Sequence, residues 1–449
     1  MTHNITNLFL DSLDALVEAP LPESVVTQAK MCLVDYVACA MLGETIERDA
    51  SGAYRTSAWN EGGSAVLIGM RGRAPMHVAA LLNGTHAHAA ELDDGHRYAM
   101  MHAGTPVISA LLAVAESHSL TGTQLLRGIV MGYEAEIRLA SAVQPGHKLR
   151  GYHGTATCGT IGAALAIAYA CGYTREQRKA ALSAAVTNAA GVLEMIDDAS
   201  TLKPFNVGRA AAAGIDAALV AELGYGGPED ALGGKRGFVG VMADEVEEAF
   251  LTDGFGDRYA IETGYRKQYA ACRHSHAAIE AALKAVEGAD VTPDAIEDVL
   301  VETYGLAVFG HDHAETPNVS SAKMSIPFGV AVALVTGKAG YQQFSQRFLE
   351  DAQVRELVEK VRVHELPELS ALVPAKRSAI VTVRASGKDH AARVDYPKGE
   401  PENPLTIDEL TDKFFDLLGV AGRYGDEIRD MLQAIWEVEE ALPHLLSVL

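Results

Sequence analysis

The sequence has few cysteines and none of the paired spacings that bind structural zinc. Its five cysteines are Cys32, Cys39, Cys158, Cys171 and Cys272, and there is no C-x-x-C pair. An odd number of scattered thiols, most of them in apolar stretches, is typical of a reduced intracellular protein and not of a disulfide framework. The first residues lack a basic segment followed by an apolar one, so we expect no signal peptide and a cytoplasmic location.

Positive charge is also scarce. The 449 residues include 37 Lys and Arg against 59 Asp and Glu, which gives a formal net charge of −22. Nucleic acids and anionic membranes bind basic surfaces, so neither is an expected partner. A small anionic substrate is still compatible, because a local group of Lys, Arg and His can hold a carboxylate. Aromatic residues make up only 6%, and the abundance of Ala and Gly favours closely packed helices over a β-sandwich.

Several motifs that identify common enzyme classes are missing. The sequence has no G-x-x-x-x-G-K-[ST] phosphate loop, no G-x-S-x-G nucleophile turn and no H-E-x-x-H zinc motif. No G-x-G-x-x-G opens a strand-to-helix turn, so a nicotinamide or flavin cofactor is not expected. The basic loop 233–238 (GGKRGF) lacks the spacing of a phosphate loop. We therefore expect no cofactor, and a metal ion is a secondary alternative.

The spacing of apolar residues predicts a mainly α protein with helices along the first two thirds of the chain. These predicted helices are 23–42 (stopped by Gly43), 76–90, 105–117, 122–143, 159–170, 175–193 and 207–223. Two further helices are predicted near the end of the chain, at 407–418 and 424–442, and we expect them to pack back onto the first ones.

From about residue 270 the pattern changes to a mixture of strands and helices. Alternating apolar residues predict strands at 296–308, 361–366, 378–385 and 391–396. Helices are predicted between them at 277–286, 323–335 and 351–360. The sequence thus predicts a large all-helical domain from both chain ends (1–268 and 398–449) and a smaller α+β domain (269–397).

The segment that points most directly to chemistry follows the helix predicted at 76–90. It combines three imidazoles and three carboxylates: His88, His96, His102, Glu91, Asp93 and Asp94. These side chains are suited to proton transfer near neutral pH, because burial or pairing brings their pKa values into the working range. Each histidine alone is more often structural, and Asp93 and Asp94 could cap a helix.

Three later stretches add cationic and imidazole groups. His153 precedes a small-residue helix start, where backbone N–H groups favour an anion. Lys203 precedes another helix start, and Lys267, Arg273 and His276 are concentrated near the expected domain boundary. A site that also gathered Lys203 and Lys267 would repel a metal cation, which favours proton chemistry.

The order of these stretches resembles the MmgE/PrpD family, whose members include 2-methylcitrate dehydratase, cis-aconitate decarboxylase and iminodisuccinate epimerase. The matching stretches run in the family's order from residue 88 to residue 406: HAAELDDGH, GYHGTATCGTIGAA, KPFNVGRAAAAG, KQYAACRHSHAAIEA, AKMSIPFGVAVAL and PKGEPENPLT. The resemblance implies a helical domain with an inserted α+β lid, a homodimer, and a cofactor-independent active site between the domains.

Site residues are carried over from the family motifs. The resemblance implies catalytic roles for Glu91, Asp93, His102, His153, Lys203 and Lys267. It implies substrate-binding roles for Asp94, Arg273, His276 and Phe328.

The sequence departs from the family's decarboxylases at several of these positions. Glu91 replaces the usual Asp, Phe328 stands where decarboxylases carry Tyr, and Ala270 stands where Pro is common. The loop between Asp94 and His102 is one residue longer than in the decarboxylases. These departures favour dehydration of a 2-methylcitrate-like hydroxy acid. The alternatives are a cis-aconitate decarboxylase, an iminodisuccinate-type epimerase and a family member that binds a carboxylate without turning it over.

Overall fold

The chain folds into two units, seen in a computed structural model that describes residues 4–17, 19–55, 62–70, 72–196 and 200–449. The first unit combines the described chain up to residue 196 with Leu202–Gly264 and Thr406–Leu449. The second unit is Tyr265–Leu405, together with the short stretch just before Leu202. The domain boundaries predicted after residues 268 and 397 both fall just inside the second unit.

The first unit is built from helices, apart from one pair of two-residue strands. Its elements are α1 (Ile5–Asp14), α2 (Glu23–Arg55), β1 (Ala65–Val66), β2 (Arg73–Ala74), α3 (Met76–Ala89), α4 (Gly104–Val114), α5 (Gly122–Val143), α6 (Gly146–Leu149), α7 (Gly154–Ala170), α8 (Arg175–Asn188), α9 (Lys203–Glu222), α10 (Phe238–Met242), α11 (Ala249–Thr252), α19 (Ile407–Val420), α20 (Asp426–Trp436) and α21 (Val438–Val448). The mainly α fold is confirmed.

Helix α2 does not stop at Gly43, so that prediction is wrong. The helix continues to Arg55, and Gly43 has a different function. A Cβ atom on Gly43 would lie 1.8 Å from the backbone oxygen of His86. Helix α3 therefore crosses α2 with backbone against backbone, and only glycine allows this approach. By length and hydropathy α2 could cross a membrane, but 78% of its apolar window is buried inside the protein, as in a core helix.

Two helices that carry site residues begin earlier than predicted. Helix α7 begins at Gly154 and α9 at Lys203, whereas the apolar pattern indicated starts at 159 and 207. The first turn of α7 contains only small residues, and the first turn of α9 includes Lys203 and Asn206, so the apolar pattern did not extend into either turn. Pro204 lies in the first turn of α9. Proline has no backbone N–H, and an N–H in the first turn of a helix has no intrahelical acceptor, so proline is well tolerated there.

Close contacts between small residues bring α3 and α9 together. A Cβ on Gly208 would lie 2.1 Å from the backbone oxygen of Leu81, and one on Gly84 would lie 2.7 Å from the Cα of Gly208. This packing carries the start of α9 toward the end of α3. The lysine that opens α9 and the acidic segment that follows α3 consequently meet.

The second unit contains a four-stranded sheet in the order β4-β3-β5-β6. Strands β3 and β4 are parallel, and the other neighbouring pairs are antiparallel. Its elements are α12 (His276–Val286), β3 (Ile296–Thr303), α13 (Gly305–Val308), α14 (Val319–Met324), α15 (Ile326–Thr336), α16 (Gln346–Leu349), α17 (Ala352–Val358), β4 (Val361–Glu365), α18 (Pro367–Ser370), β5 (Ala379–Ala385) and β6 (Lys388–Val394).

Two predicted elements of this unit are wrong in extent. The strand predicted over 296–308 ends at Thr303, and α13 follows it. The helix predicted over 323–335 is two helices, α14 and α15, which meet at Ser325. The hydroxyl of Ser325 accepts a hydrogen bond from the N–H of Phe328 at 3.1 Å, so this residue starts a new helix instead of continuing the old one.

The segment after β6 belongs to the second unit, and the last helices belong to the first. Within the second unit, the N–H of Arg266 donates to the backbone oxygen of Gly399 at 3.0 Å. In the first unit, the ammonium of Lys413 on α19 lies 2.6 Å from Asp35 on α2 and donates to the carbonyl of Leu92 at 2.9 Å. Helix α19 is thereby fixed beside both α2 and the acidic segment.

Candidate active site

The acidic segment leaves α3 through a strained residue. Glu91 has a φ of 58°, in the left-handed region that side chains other than those of Gly, Asn and Asp rarely adopt. Backbone strain of this kind persists where the surrounding structure imposes it, and it is concentrated at functional sites. The turn directs the Glu91 carboxylate toward the start of α9.

Asp93 is the centre of a buried hydrogen-bond network. Its Oδ2 accepts from Nδ1 of His88 at 2.8 Å and from the hydroxyl of Thr105 at 3.0 Å, and it lies 3.3 Å from Nδ1 of His102. Burial alone would raise the pKa of Asp93, but His102 and His88 hold it well below its usual value. Asp93 is therefore an ionised carboxylate that orients two imidazoles.

His102 has one ring nitrogen committed to the backbone. Its Nδ1 lies 2.7 Å from the carbonyl oxygen of Asp94, and its backbone N–H donates to the hydroxyl of Thr155 at 3.1 Å. Since a carbonyl can only accept, Nδ1 carries a proton, and in the neutral ring the lone pair is on Nε2. This tautomer makes Nε2 of His102 a proton acceptor.

Asp94 supports the loop from inside the protein. Its carboxylate accepts from the hydroxyl of Tyr133 at 2.5 Å and from the N–H of Gly104 at 2.9 Å. Burial raises the pKa of Asp94 to about 6, although these two hydrogen bonds oppose the rise. The sequence prediction gave Asp94 a substrate-binding role. In the structure its carboxylate holds α4 and α5, and its carbonyl holds His102.

Lys203 and Glu91 form an ion pair at the meeting point of α3 and α9. Nε2 of His88 lies 3.4 Å from the same carboxylate. Burial would lower the pKa of His88, but the charges of Asp93 and Glu91 raise it. The two carboxylates therefore favour the protonated form of the buried His88 ring. The prediction did not select it as a site residue, although its i, i+3 spacing from Glu91 indicated a shared helix face.

His153 lies at the start of α7 and is held there by two contacts. Its backbone N–H donates to the oxygen of Gly191 at 3.1 Å, and its Nδ1 is 3.1 Å from the side-chain nitrogen of Asn206. An amide nitrogen can only donate, so Nδ1 accepts and the ring proton is on Nε2. Burial and the charge of Lys203 hold the pKa of His153 well below its usual value. His153 is a neutral imidazole that can donate from Nε2.

Asn206 was missed by the sequence prediction. It lies three residues after Lys203 on α9, a spacing that places both side chains on one face of the helix. That spacing was a usable signal, but the partner of Asn206 lies 53 residues away along the chain.

Part of the cluster has the composition of a metal site. Ligand atoms of His88, Glu91 and His102 all lie within 4.8 Å of one another. The ammonium of Lys203 already pairs with Glu91, and a proton on His88 is favoured by its two carboxylate neighbours. A metal ion would have to displace both positive charges, so the arrangement fits proton transfer better than metal binding.

The other predicted site residues lie in the second unit. The guanidinium of Arg273 pairs with Glu400 at 2.7 Å and donates to Nδ1 of His276 at 2.7 Å, and Nε2 of His276 lies 3.2 Å from the oxygen of Ala271. Arg273 and His276 thus form one buried network. Lys267 is 1% exposed, and the ring of Phe328 packs 5.6 Å from that of Phe344 in the core of this unit.

Comparison with known proteins gives matches along almost the whole chain. The MmgE/PrpD N-terminal domain matches residues 14–250, and the MmgE/PrpD C-terminal domain matches residues 269–438. A cis-aconitate decarboxylase-like protein of Aspergillus oryzae is 26% identical over 436 residues, covering 92% of this chain and 90% of the relative. The cis-aconitate decarboxylase of Homo sapiens is 24% identical over 432 residues, covering 92% and 88%. That of Aspergillus terreus is 26% identical over 436 residues, covering 91% and 87%.

Proposed function

We propose that this chain, which belongs to the MmgE/PrpD family, is a cofactor-independent lyase that decarboxylates a small unsaturated tricarboxylate of the cis-aconitate type. Three of its relatives carry the name cis-aconitate decarboxylase or decarboxylase-like. The observation that carries the proposal is the opposite protonation of two site histidines. His102 presents a lone pair at Nε2, whereas His153 presents a proton at Nε2.

The two histidines supply a proton and a hydrogen bond to the reaction. Loss of CO₂ breaks a carbon–carbon bond and leaves its electron pair in an anion conjugated with the alkene and a neighbouring carboxylate. Nε2 of His102 takes up a proton from solvent beside the anionic Asp93 and delivers it to the carbon that retains this pair, and the N–H at Nε2 of His153 donates a hydrogen bond to the neighbouring carboxylate. General acid–base help of this kind contributes roughly 10²–10⁴-fold in rate.

Lys203 and the buried carboxylates provide the electrostatics of this reaction. The ammonium of Lys203 neutralises a substrate carboxylate and the charge that develops beside it. Before substrate binds, the ion pair with Glu91 holds the Lys203 ammonium in position. When substrate binds, its carboxylate competes with Glu91 for this ammonium. Asp93, fixed by His88, keeps the His102 ring oriented.

Dehydration of a 2-methylcitrate-like hydroxy acid is the second candidate. Nε2 of His102 would remove the proton α to a carboxylate and pass it to the departing hydroxyl as the alkene forms, while the N–H at Nε2 of His153 donates a hydrogen bond to that hydroxyl. Phe328 favours this candidate, because it has no hydroxyl where the family's decarboxylases carry Tyr. The longer side chain of Glu91 in place of Asp also favours it.

Proton NMR in heavy water distinguishes the candidates. The purified protein, with a chelator present, is incubated separately with cis-aconitate, 2-methylcitrate, citrate and iminodisuccinate. Loss of CO₂ from cis-aconitate is the expected result. Alkene signals from 2-methylcitrate would show that the reaction is dehydration and not decarboxylation. Deuterium exchange without elimination would indicate an epimerase. No change in any substrate would contradict the proposal and favour a carboxylate-binding role.

Two variants test the site assignment. His153→Ala and Lys203→Ala should each abolish turnover, because the first removes the hydrogen-bond donor at Nε2 and the second removes the positive charge. The exposed His444→Ala and Lys338→Ala serve as matched controls and should retain activity. Circular dichroism confirms that all four variants fold. Full activity of both site variants would show that the chemistry lies elsewhere.

A further inference from the structure

The second unit carries a cysteine–histidine pair that the proposed reaction does not use. Sγ of Cys272 lies 3.2 Å from Nε2 of His311. Nδ1 of the same ring lies 2.9 Å from the carbonyl oxygen of Phe309. A carbonyl can only accept, so the proton is on Nδ1 and the lone pair of Nε2 faces the thiol. This is the arrangement in which a histidine accepts a thiol proton and activates the sulfur.

The backbone holds both members of the pair in place. The N–H of Cys272 donates to the oxygen of Lys323 at 2.8 Å, and the oxygen of His311 accepts from the N–H of Ile326 at 2.8 Å. Both partners lie at the junction of α14 and α15. Both residues are therefore held by backbone hydrogen bonds to the same junction between two helices. Little reordering of Cys272 and His311 is needed before they react.

Cys272 lies at the start of a helical segment but does not cap it with its sulfur. It immediately precedes the helical turn Arg273–Ser275, which leads directly into α12. The N–H of Ser275 donates to the backbone oxygen of Cys272 at 2.9 Å, and within this described turn no cap hydrogen bond reaches Sγ. Activation of the sulfur therefore depends on Nε2 of His311.

The other four cysteines differ from Cys272. Cys32, Cys39 and Cys158 are buried, and burial raises the pKa of Cys158 to about 12. Cys171 is partly exposed, as Cys272 is. Burial and the charge of Glu222, however, raise the pKa of Cys171 to about 11. Within the part of the chain that the structure describes, no histidine hydrogen-bonds to the sulfur of Cys171, so this residue is an internal control of similar exposure.

We propose that Cys272 is a nucleophilic modification site that adds to α,β-unsaturated carbonyl compounds, with His311 as its base. The thiol proton moves to Nε2 of His311, and the sulfur forms a bond to the β-carbon of the conjugated alkene. The π electrons move to the α-carbon, which then takes the proton back from the imidazolium. The product is a thioether that contains every atom of the electrophile, and no oxidant or leaving group is involved.

Site-resolved labelling of the whole protein tests this proposal. The native protein is treated briefly with limiting N-ethylmaleimide, the reaction is quenched, and peptide mass spectrometry gives a rate for each cysteine. Cys272 should react at least about tenfold faster than Cys171, because a larger fraction of it is thiolate. His311→Ala should slow Cys272 by about tenfold and leave Cys171 unchanged. The exposed His364→Ala is the matched control and should change neither rate.

A second reagent tests the electrophile class. Monomethyl fumarate should add its whole mass to Cys272, and saturated monomethyl succinate should add nothing. Cys272→Ser should remove the fast adduct with both reagents, and Cys171→Ser should not. Equal rates at Cys272 and Cys171, or a Cys272 rate independent of His311, would overturn the proposal. These mass measurements do not depend on turnover, so they are independent of the proposed lyase reaction.

Discussion

The pKa values of two adjacent carboxyl groups of the candidate site are shifted in opposite directions. His102 and His88 keep Asp93 ionised, whereas burial moves the pKa of Asp94 up to about 6. Environments that separate the pKa values of neighbouring acids also separate their roles. Asp93 orients the imidazoles as a permanent anion, and Asp94 anchors the loop through Tyr133 and Gly104.

Asn206 decides which nitrogen of His153 carries the proton, and this can be tested directly. In Asn206→Asp the new carboxylate would accept from Nδ1 and move the proton away from Nε2. We expect kcat to fall at least about 100-fold, since a wrong tautomer of the neutral ring removes the hydrogen-bond donor at Nε2. KM should change little. The pH profile of kcat should shift to higher pH, because the carboxylate raises the pKa of His153.

The pH profile separates this positioning role from a purely structural one. Asn206→Ala removes the amide without adding a charge, so it should lower kcat less than the Asp variant and leave the profile in place. Identical profiles for both variants and the wild type would contradict the assigned tautomer.

Glu136 is a buried acid with a measurable effect on stability. Among the described residues neither of its carboxyl oxygens has a hydrogen-bond partner, and burial raises its pKa well above the ordinary 4.5. The folded state keeps this proton while the unfolded chain releases it above pH 4.5. The free energy of unfolding therefore falls as pH rises from there toward the folded-state pKa.

Glu136→Met should remove this pH-dependent loss. We expect the variant to be about 1–3 kcal/mol more stable than the wild type at pH 8, because an unsatisfied polar group leaves the core. The difference should shrink toward pH 4.5. Urea denaturation at several pH values measures it. The exposed Glu245→Met is the control and should show the wild-type pH dependence; a flat difference between pH 5 and pH 8 would contradict the raised pKa.

At the scale of elements, the crossing of α2 and α3 depends on one glycine. Gly43→Ala would place a methyl group 1.8 Å from the backbone oxygen of His86, so the helices must separate. We expect a loss of about 3 kcal/mol in the free energy of unfolding. Gly52→Ala lies in the same helix with nothing within 4 Å of its new Cβ, and it should be neutral or more stable by up to about 1 kcal/mol. Thermal denaturation compares the two, and similar losses in both would mean that helix propensity, not the crossing, is responsible.

Helix bounds are easier to predict where the residues that fix them are close together in the sequence than where they are distant. Helix α5 has the predicted bounds because Thr121 and Gln124 form a capping box within the sequence itself. Gly43 was taken for a helix stop because its true partner, His86, is distant along the chain. Ser325 separates α14 from α15 through a local cap that the apolar pattern conceals.

The same division applies to the candidate site. The acidic segment, His153 and Lys203 could be found because each stands in a motif of its own. The proton positions on His102 and His153 could not, because they depend on a backbone carbonyl and on the amide of Asn206, which only the fold brings close. Family motifs therefore identify which residues belong to the site, whereas the orientation and ring protons of the histidines follow only from three-dimensional contacts.

At the scale of the whole molecule, only the second unit is essentially continuous in sequence. It consists almost entirely of Tyr265–Leu405, whereas the first unit needs both chain ends. We expect a fragment of residues 265–405 to fold alone, with cooperative thermal unfolding by circular dichroism. A fragment of residues 1–264 should not, because it lacks α19 and the Lys413–Asp35 ion pair.

Complementation provides the control for this prediction. Co-expression of residues 1–264 with a fragment of residues 406–449 should restore soluble, helical protein. A cooperative, stable transition of residues 1–264 alone would contradict the requirement for both chain ends.

The ion pair between Lys413 and Asp35 can form only late in protein synthesis. Its two members are 378 residues apart, and ribosomes add roughly 5–20 residues per second. The buried carboxylate of α2 therefore waits roughly 20–75 s for its cation. During that interval the first-made helices have no finished core, while the later-made second unit can already be complete. The first unit thus cannot be completed before the second unit has been synthesised, although its helices are made first, and the nascent N-terminal half is the part of this protein that chaperones have most time to bind.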